Sequence, residues 1–272
     1  MAMTKGRITE PMSDRDAELE MRRRSRRAFL VGGGALLAGA AGWRWLLSTA
    51  AEDGIHSPFR RVLGLNEKIA GGYFSGSHLA PVFPPDRARM PRANGDIGLS
   101  EGFDPVAWRL TVANPANGAA PASTFALDDI RRLPRVDMVT ELKCIEGWSE
   151  VVHWGGARLI DFMVANRLGT KSGQAPDPEH RPDDLLRYVA METPDKAYFV
   201  GLEMASAIHP QTLLCYEMNG QPLAPEHGAP LRLVTPVKYG IKHIKRIGTI
   251  RFSDRRPDDY WAKEGYDWYA GL

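Results

Sequence analysis

The stretch NGQPLAPEHGAPLRLVTPVKYGIKHIK, residues 219–245, combines a strand-forming pattern with a dense set of basic groups. Its first pair, Asn219-Gly220, is a strong signal for a hairpin turn, and the segment around Arg232 alternates apolar and polar residues like a strand. A guanidinium between two leucines needs a partner, and an anion with several oxygens fits its fork geometry. The stretch therefore predicts β structure beside a binding site for a phosphorylated ligand.

Basic and imidazole groups continue through this region between glycines and apolar residues: His227, Arg232, Lys238, Lys242, His243, Lys245 and Arg246. A run of charges usually marks a solvated face, but lysines and backbone N–H groups in a glycine-containing turn also form phosphate cradles. The sequence has neither a G-x-G-x-x-G nor a G-x-x-x-x-G-K-[ST] motif, which excludes a dinucleotide-binding fold and a P-loop.

Upstream of this region the pattern changes between strand-like and helical periods. Alternation predicts strands in AWRLTVA, VDMVTELKCIEG, RYVAMET and AYFVGLEM. Apolar residues at helical spacing predict one helix in STFALDDIRRLP, capped by Ser123 or Thr124, and another in ARLIDFMVANRLG, closed by Gly169. Residues 51–105, rich in Pro, Gly and Arg, are predicted to be an extended segment that wraps the body at 106–272. The expected fold class is α+β, mostly strands with a few short helices.

Composition narrows the possible functions. The chain has 272 residues and a net charge of +2, which provides no overall attraction to nucleic acid. Two cysteines are too few for a disulfide framework or for a zinc site made of cysteines alone.

The N-terminal region resembles an export signal. Residues 22–50, RRRSRRAFLVGGGALLAGAAGWRWLLSTA, join a basic start to an apolar, glycine-rich stretch that ends in small residues. This layout is similar to a twin-arginine signal, which the twin-arginine translocase reads, and residues 1–50 are predicted to be that signal or an N-terminal anchor. Substrates of this route are exported folded, often with a cofactor already inserted, so the expected location is the periplasm.

The residues around Cys144 in the sequence do not determine its chemical role. This cysteine ends a predicted strand, with Lys143, Glu146 and His153 close in sequence. A nearby cation favours the thiolate, which attacks electrophiles or binds soft metals. Four readings stay open from the residues alone: a small buried apolar side chain, a disulfide with Cys215, a nucleophile and a metal ligand.

An ordered set of motifs resembles one known family. CIEGWS, YVAMET, IHPQTLL, the opening stretch and RRPDDYW together are similar to the molybdopterin-binding domain of the sulfite oxidase superfamily, from about Trp108 to the C-terminus. The similarity is greatest to its bacterial periplasmic branch of protein methionine-sulfoxide reductases. The resemblance implies an α+β sulfite-oxidase-type fold with mixed β-sheet, and one molybdenum bound by a pterin dithiolene and one protein sulfur.

The resemblance also implies roles for individual residues. Cys144 matches the protein ligand of the metal and hence the catalytic position. Residues that match cofactor contacts are Asn94, Thr193, His227, Arg232, His243, Ile244 and Lys245. Glu146, Trp148 and His153 are further candidates to surround the metal site.

The implied reaction is two-electron oxygen-atom transfer on a small sulfur- or N-oxide-containing substrate. In this sequence only PDKA joins the strands in YVAMET and YFVGLEM, where the reductase branch has a longer loop. The resemblance therefore does not identify the substrate of this chain. No C-x-x-C-H motif is present, so electrons are expected to pass to or from a separate membrane haem b protein or soluble cytochrome. No dimerisation domain is expected, which favours a monomer.

Two other functions compete with this one. The first is a metal-free hydrolase in which Cys144 is the nucleophile and His153 or His209 is the base. The second is a non-catalytic periplasmic binding protein with the same fold.

Overall fold

A computed structural model describes residues 13–52, 55–113 and 122–272 of the chain. These residues fall into two compact units. The first consists of residues up to 52 together with 56–58, and the second of residue 55 together with 59–272. All of the predicted site residues belong to the second unit.

One long helix dominates the first unit. Helix α1, Asp14–Ser48, begins at Ser13, whose hydroxyl accepts a hydrogen bond from the Asp16 N–H, and no residue in it is buried. It is long and apolar enough to cross a membrane, by length and composition only. A signal sequence passes the same test.

The remaining elements follow in chain order. Strands β1 to β12 are Ala51–Glu52, Ile55–His56, Leu110–Ala113, Ser123–Phe125, Arg135–Lys143, Ser149–Arg158, Tyr188–Glu192, Phe199–Glu203, Leu213–Met218, Gln221–Pro222, Arg232–Val234 and Thr249–Ser253. Helices α2 to α6 are Ser57–Tyr73, Leu127–Arg131, Leu159–Asn166, Met204–Ala207 and Tyr260–Lys263. Short 3-10 turns cover Pro85–Arg87, Pro182–Asp184, Pro225–His227 and Gly240–Lys242.

Two five-stranded sheets form the body. The first has the order β10-β9-β6-β5, with β11 also paired to β9, and all of its pairs are antiparallel. The second has the order β4-β3-β12-β7-β8 and is mixed, because β12 runs parallel to β3 and antiparallel to β7. The α+β fold class with mixed sheet is therefore confirmed.

Buried apolar side chains make two clusters. The larger includes residues from both sheets and from α4, for example Leu110, Met163, Val189, Leu214 and Ile250. The smaller involves the first sheet and includes Met138, Trp154 and Val234. Strands β6 and β9 approach closely because position 156 is glycine: a Cβ there would lie 2.4 Å from the Leu214 carbonyl oxygen.

Several local expectations are wrong. Residues 57–73 form a helix instead of part of an extended segment. Ser123 and Thr124 belong to β4, and α3 begins after Ala126, whose N–H donates to the Asp129 carboxylate. Helix α4 ends before Arg167, two residues earlier than the predicted end at Gly169, and both Arg167 (φ 53°) and Gly169 (φ +79°) take left-handed conformations.

Candidate functional site

Cys144 lies in the tight turn that joins β5 to β6. Its N–H donates to the Trp148 carbonyl at 2.9 Å, and its carbonyl accepts from the Gly147 N–H at 3.1 Å. Gly147 has φ +88°, a conformation that glycine adopts without strain. The turn therefore places the partly exposed thiol at the end of the hairpin, as the sequence predicts for the end of a strand.

The thiol opens into a cavity of about 320 Å³. Several parts of the chain supply its walls, among them the segment 91–97, the β5–β6 turn, strand β11, and the two turns around residues 227 and 240–245. Six of the eight predicted site residues line it: Asn94, Cys144, His227, Arg232, His243 and Lys245.

Asn94 and Glu146 lie next to the thiol. The Asn94 amide nitrogen is 3.8 Å from Cys144 Sγ and donates to a Glu146 carboxylate oxygen at 3.3 Å. The Trp148 indole N–H donates to the same carboxylate oxygen at 3.0 Å. Burial, and secondarily the charge of Glu146, raises the pKa of the Cys144 thiol. Without a metal, this environment favours the protonated thiol.

Lys245 holds the segment that carries Asn94. Its Nζ donates to the carbonyl oxygens of Asn94 and Gly95, both at 2.9 Å. Burial, and then repulsion from Arg232, lowers the pKa of Lys245 to about 8.

Arg232 is a buried cation, and no carboxylate among the described residues forms an ion pair with it. Its side chain donates to the carbonyls of His227 at 3.1 Å and His243 at 3.4 Å, and its Nε has no partner. The guanidinium carbon lies 5.1 Å from the centre of the Trp154 ring. Burial lowers the pKa of Arg232 to about 10. A buried charge without a counter-ion is costly, so this position favours a bound anion.

Two histidines line the cavity around this guanidinium. A ring nitrogen of His243, Nε2, lies 2.9 Å from the Thr235 carbonyl and so carries the proton, which leaves Nδ1 as an acceptor with no partner. Burial, and then the charge of Arg232, lowers the pKa of His243 to about 3. The same two causes, with Lys245 in addition, lower the pKa of His227.

These groups fit a metal whose ligands come mostly from a bound cofactor and only in small part from the protein. Within the described residues, no group of three or more His, Cys, Asp or Glu side chains is placed to hold a metal ion. Cys144 is thus the thiolate that the cavity offers, and a soft thiolate suits a redox metal. The unpaired guanidinium and the nearby Lys245 suit an anionic cofactor group such as a phosphate.

Two predicted site residues do not reach the cavity wall. Thr193 is buried, and its hydroxyl donates to Asp195 and accepts from the Tyr198 N–H, which stabilises the turn between β7 and β8. Ile244 is fully buried in the larger apolar cluster. Its N–H donates to the Lys242 carbonyl, and its own carbonyl accepts from Leu233.

The other basic groups of the opening stretch are internal. Lys242 Nζ donates to Asp259 at 2.6 Å, and Lys238 Nζ pairs with Glu203 at 2.5 Å. Arg246 donates to the Ser100 carbonyl. These three side chains stabilise the fold, and the wider phosphate cradle that they suggested is wrong.

The residues proposed for cysteine chemistry are apart from the cavity. His153 pairs with Asp137 at 3.0 Å, and His209 contacts the His78 carbonyl at 3.2 Å. Both cysteines are free, and burial raises the pKa of Cys215 to about 12. The structure therefore contains no disulfide between the two cysteines, and neither His153 nor His209 lines the cavity into which Cys144 opens.

Aromatic residues complete the cavity, and the sequence analysis did not select them: Tyr198, Trp261 and Tyr266. The Tyr198 hydroxyl donates to the Ile241 carbonyl at 2.6 Å. The aromatic composition of the C-terminal tail was the available signal, because such a tail must pack against the body.

The cavity brings together the Cys144 thiol and the buried Arg232 cation within an α+β fold. Comparison with known proteins shows the class to which this chain belongs. Residues 98–261 match the family described as oxidoreductase molybdopterin binding domain. The chain belongs to this family and is a molybdopterin-dependent oxidoreductase of the sulfite oxidase type.

Similar proteins carry related names. An Azospira oryzae protein, provisionally named protein-methionine-sulfoxide reductase subunit YedZ1, is 30% identical over 91% of this chain and 88% of that protein. The protein-methionine-sulfoxide reductase catalytic subunit MsrP of Campylobacter jejuni is 32% identical over 65% of this chain and 60% of that protein. The crystal structure of the sulfane dehydrogenase SoxCD from Paracoccus pantotrophus gives a TM-score of 0.47 at 18% identity, over 66% of this chain and 46% of that chain.

Proposed function

We propose that this enzyme holds one molybdenum with a single pterin dithiolene and transfers an oxygen atom to or from a small sulfur- or N-oxide-containing substrate. The observation that carries the proposal is the shared cavity: it is lined both by the Cys144 thiol and by Arg232, a buried cation without a carboxylate partner among the described residues. A soft ligand for a metal and a fixed cation for a phosphate are the two groups such a cofactor requires.

The residues of the chain have separable roles in this scheme. The cofactor supplies the redox chemistry, in which a sulfoxide takes up two electrons and two protons and leaves as a sulfide and water. Cys144 binds the metal as a thiolate, Arg232 and Lys245 neutralise the phosphate, and His227 and His243 contact the pterin. Asn94 and Glu146 keep the surroundings of the sulfur in place through their mutual hydrogen bond. Thr193 and Ile244 act indirectly, by fixing the turns around the cavity.

A sulfoxide is the favoured substrate. Two relatives are named as subunits of protein-methionine-sulfoxide reductases, and the aromatic walls at Trp148, Tyr198 and Trp261 suit the apolar groups that flank a sulfoxide. The PDKA connection is shorter than the corresponding loop of the reductase branch. The size of the substrate is therefore a property to measure and does not follow from the resemblance.

The electron partner is a separate membrane haem b protein or soluble cytochrome, because the sequence has no C-x-x-C-H motif for attached haem. Residues 1–50 are an export signal of the twin-arginine type or a retained anchor, and α1 supports both. Residues 51–105 then wrap the catalytic body at 106–272, and the enzyme acts in the periplasm as a monomer.

Metal analysis tests this proposal directly. The full chain, expressed with its export signal in cells that make molybdopterin, is expected to contain molybdenum in a one-to-one ratio. It should reduce sulfoxides or N-oxides with viologen, or oxidise sulfite with ferricyanide. Cys144→Ser is expected to lose turnover, while Cys215→Ala, which removes the other thiol, keeps it. Protein without molybdenum, or a Cys144→Ser variant with unchanged turnover, overturns the proposal.

A further inference from the structure

Helix α2 has an apolar stripe that faces away from the body. Phe59, Val62, Leu65, Ile69 and Tyr73 are 53%, 63%, 57%, 63% and 76% exposed. At about 100° per residue, these five positions fall within a sector of roughly 120° on one side of the helix. The stripe therefore runs along α2, although the exposed Asn66 falls within the same sector and Tyr73, at its C-terminal end, also lines a small cavity with Pro236 and Tyr269.

The opposite side of α2 contacts the body mainly through polar groups. The Arg60 guanidinium donates to the Ala262 carbonyl at 2.8 Å, and the Glu67 carboxylate pairs with Arg256 at 2.9 Å. All but one of the half-buried residues of α2 share this side: Ser57, Arg60, Leu63, Gly64, Glu67 and Ala70. The exception is Pro58 in the first turn, which falls in the sector of the stripe. A surface helix of a soluble protein normally turns its apolar side inward, so α2 is reversed with respect to that rule.

The chemistry around the stripe fits a lipid surface. Arg61 and Lys68 are exposed and lie beside the stripe, at about 180° to 200° from Phe59 around the helix axis. Cations that flank an apolar sector are typical of helices that lie in the interface of a bilayer, where they meet anionic headgroups. Large exposed apolar surfaces are rare on soluble proteins and mark interaction sites.

If α1 remains in the membrane as an anchor, the short connection between the two helices also keeps α2 close to that membrane. Eight residues, 49–56, separate the two helices. An extended chain of this length reaches at most about 28 Å, which is less than the thickness of a bilayer with its headgroups.

We propose that α2 lies in the interfacial layer of the membrane that α1 enters, with its apolar stripe among the acyl chains and Arg61 and Lys68 at the phosphates. This inference rests on the retained-anchor form of the proposed function and is independent of the chemistry at Cys144. The consequence is a fixed orientation of the catalytic body on the membrane surface.

Site-specific photocrosslinking of the full chain tests this arrangement. A benzophenone amino acid is placed at Leu65 or Ile69 in the stripe, at Leu37 in α1, and at Glu179 in the exposed polar loop as a matched control. The protein is reconstituted into vesicles of phosphatidylethanolamine and phosphatidylglycerol, and intact mass identifies lipid adducts. Adducts are expected at Leu65, Ile69 and Leu37, and none at Glu179.

Each other result is decisive against the proposal. Adducts at Leu37 without adducts at Leu65 and Ile69 show an anchored chain whose α2 stays in water. Adducts from the stripe to a protein in native membranes, without lipid adducts in vesicles, assign the stripe to a protein partner. A purified chain that begins after α1 overturns the proposal as well. Molybdenum content, measured on the same samples, reports on the proposed function separately.

Discussion

The side-chain amide of Asn94 lies 3.8 Å from the sulfur of Cys144, although 50 residues separate the two positions in the chain. The contact depends on a loop segment that has no regular structure of its own. Lys245 bonds the carbonyls of Asn94 and Gly95 and so fixes that segment over the β5–β6 turn. The surroundings of the proposed metal ligand are thus assembled by a lysine from a third part of the chain.

Lys245→Met is therefore expected to release the segment 91–97 and to lower cofactor retention. The two hydrogen bonds to carbonyls vanish, and the methionine adds no donor in their place. Faster amide hydrogen exchange in residues 92–98 of the metal-free protein is the direct measurement.

Lys245→Arg provides the matched control, because a guanidinium can also donate to both carbonyls. It should keep slow exchange in the segment. Equal exchange rates in wild type and Lys245→Met would show that the segment is held by other contacts.

Arg232→Met is expected to lose the cofactor while leaving the metal-free protein about as stable as wild type. The variant loses two hydrogen bonds from a charged donor, each contributing about 1.5–3 kcal/mol. It also removes a buried charge whose desolvation costs several kcal/mol without a counter-ion. The free energy of unfolding, from urea denaturation in detergent, should change by no more than about 1 kcal/mol. A much larger loss of stability would make Arg232 a structural residue, and retained molybdenum would remove its role at the phosphate.

Lys242→Met is expected to lower the stability of the protein, unlike Arg232→Met, although both residues belong to the same basic stretch. Lys242 pairs with Asp259 at 2.6 Å, and both side chains are almost fully buried. Removing one partner of a buried ion pair typically costs about 3–5 kcal/mol, because the other charge is left uncompensated. The double variant Lys242→Met with Asp259→Asn should recover part of that loss in the same denaturation experiment. A single variant as stable as wild type would contradict the structural role.

Much of the fold and part of the site follow from local patterns in the sequence. Alternation in LTVA and in VDMVTELK locates β3 and β5, because each strand buries one side against the apolar clusters. The end of β5 at Lys143 then places Cys144 in a turn. Alternation alone would place Arg232 on the exposed side of its strand, opposite the two leucines, so its burial could not be predicted in this way: all three residues of β11 are buried.

Other features depend on contacts that no local pattern contains. Lys238 and Lys242 resemble ligands in the sequence, but Glu203 and Asp259 come from distant elements to pair with them. Thr193 is occupied for a different, local reason: its hydroxyl bonds to Asp195 and Tyr198 within its own turn. Helix α2 could have been predicted, because Phe59, Val62, Leu65 and Ile69 recur at helical spacing. The Pro, Gly and Arg content of residues 51–105 favoured an extended segment instead.

His243 is expected to make the stability of the metal-free protein depend on pH. Its pKa is about 3 in the fold, whereas an unfolded chain has the ordinary histidine value of 6.5. Between these values the unfolded chain binds more protons than the native one, so acid favours unfolding. Each pH unit below 6.5 costs up to about 1.4 kcal/mol of stability through this group.

The variant His243→Gln isolates this contribution, since its amide can still donate to the Thr235 carbonyl but does not titrate. Burial also lowers the pKa of His209 and His227, so wild type and variant are both expected to lose stability in acid. The wild-type protein should lose about 2 kcal/mol more than the variant between pH 6.5 and pH 5, by urea denaturation at each pH. Parallel curves for the two proteins would mean that His243 takes up a proton in the native state, and that its Nδ1 is not held as the free acceptor proposed for the cofactor.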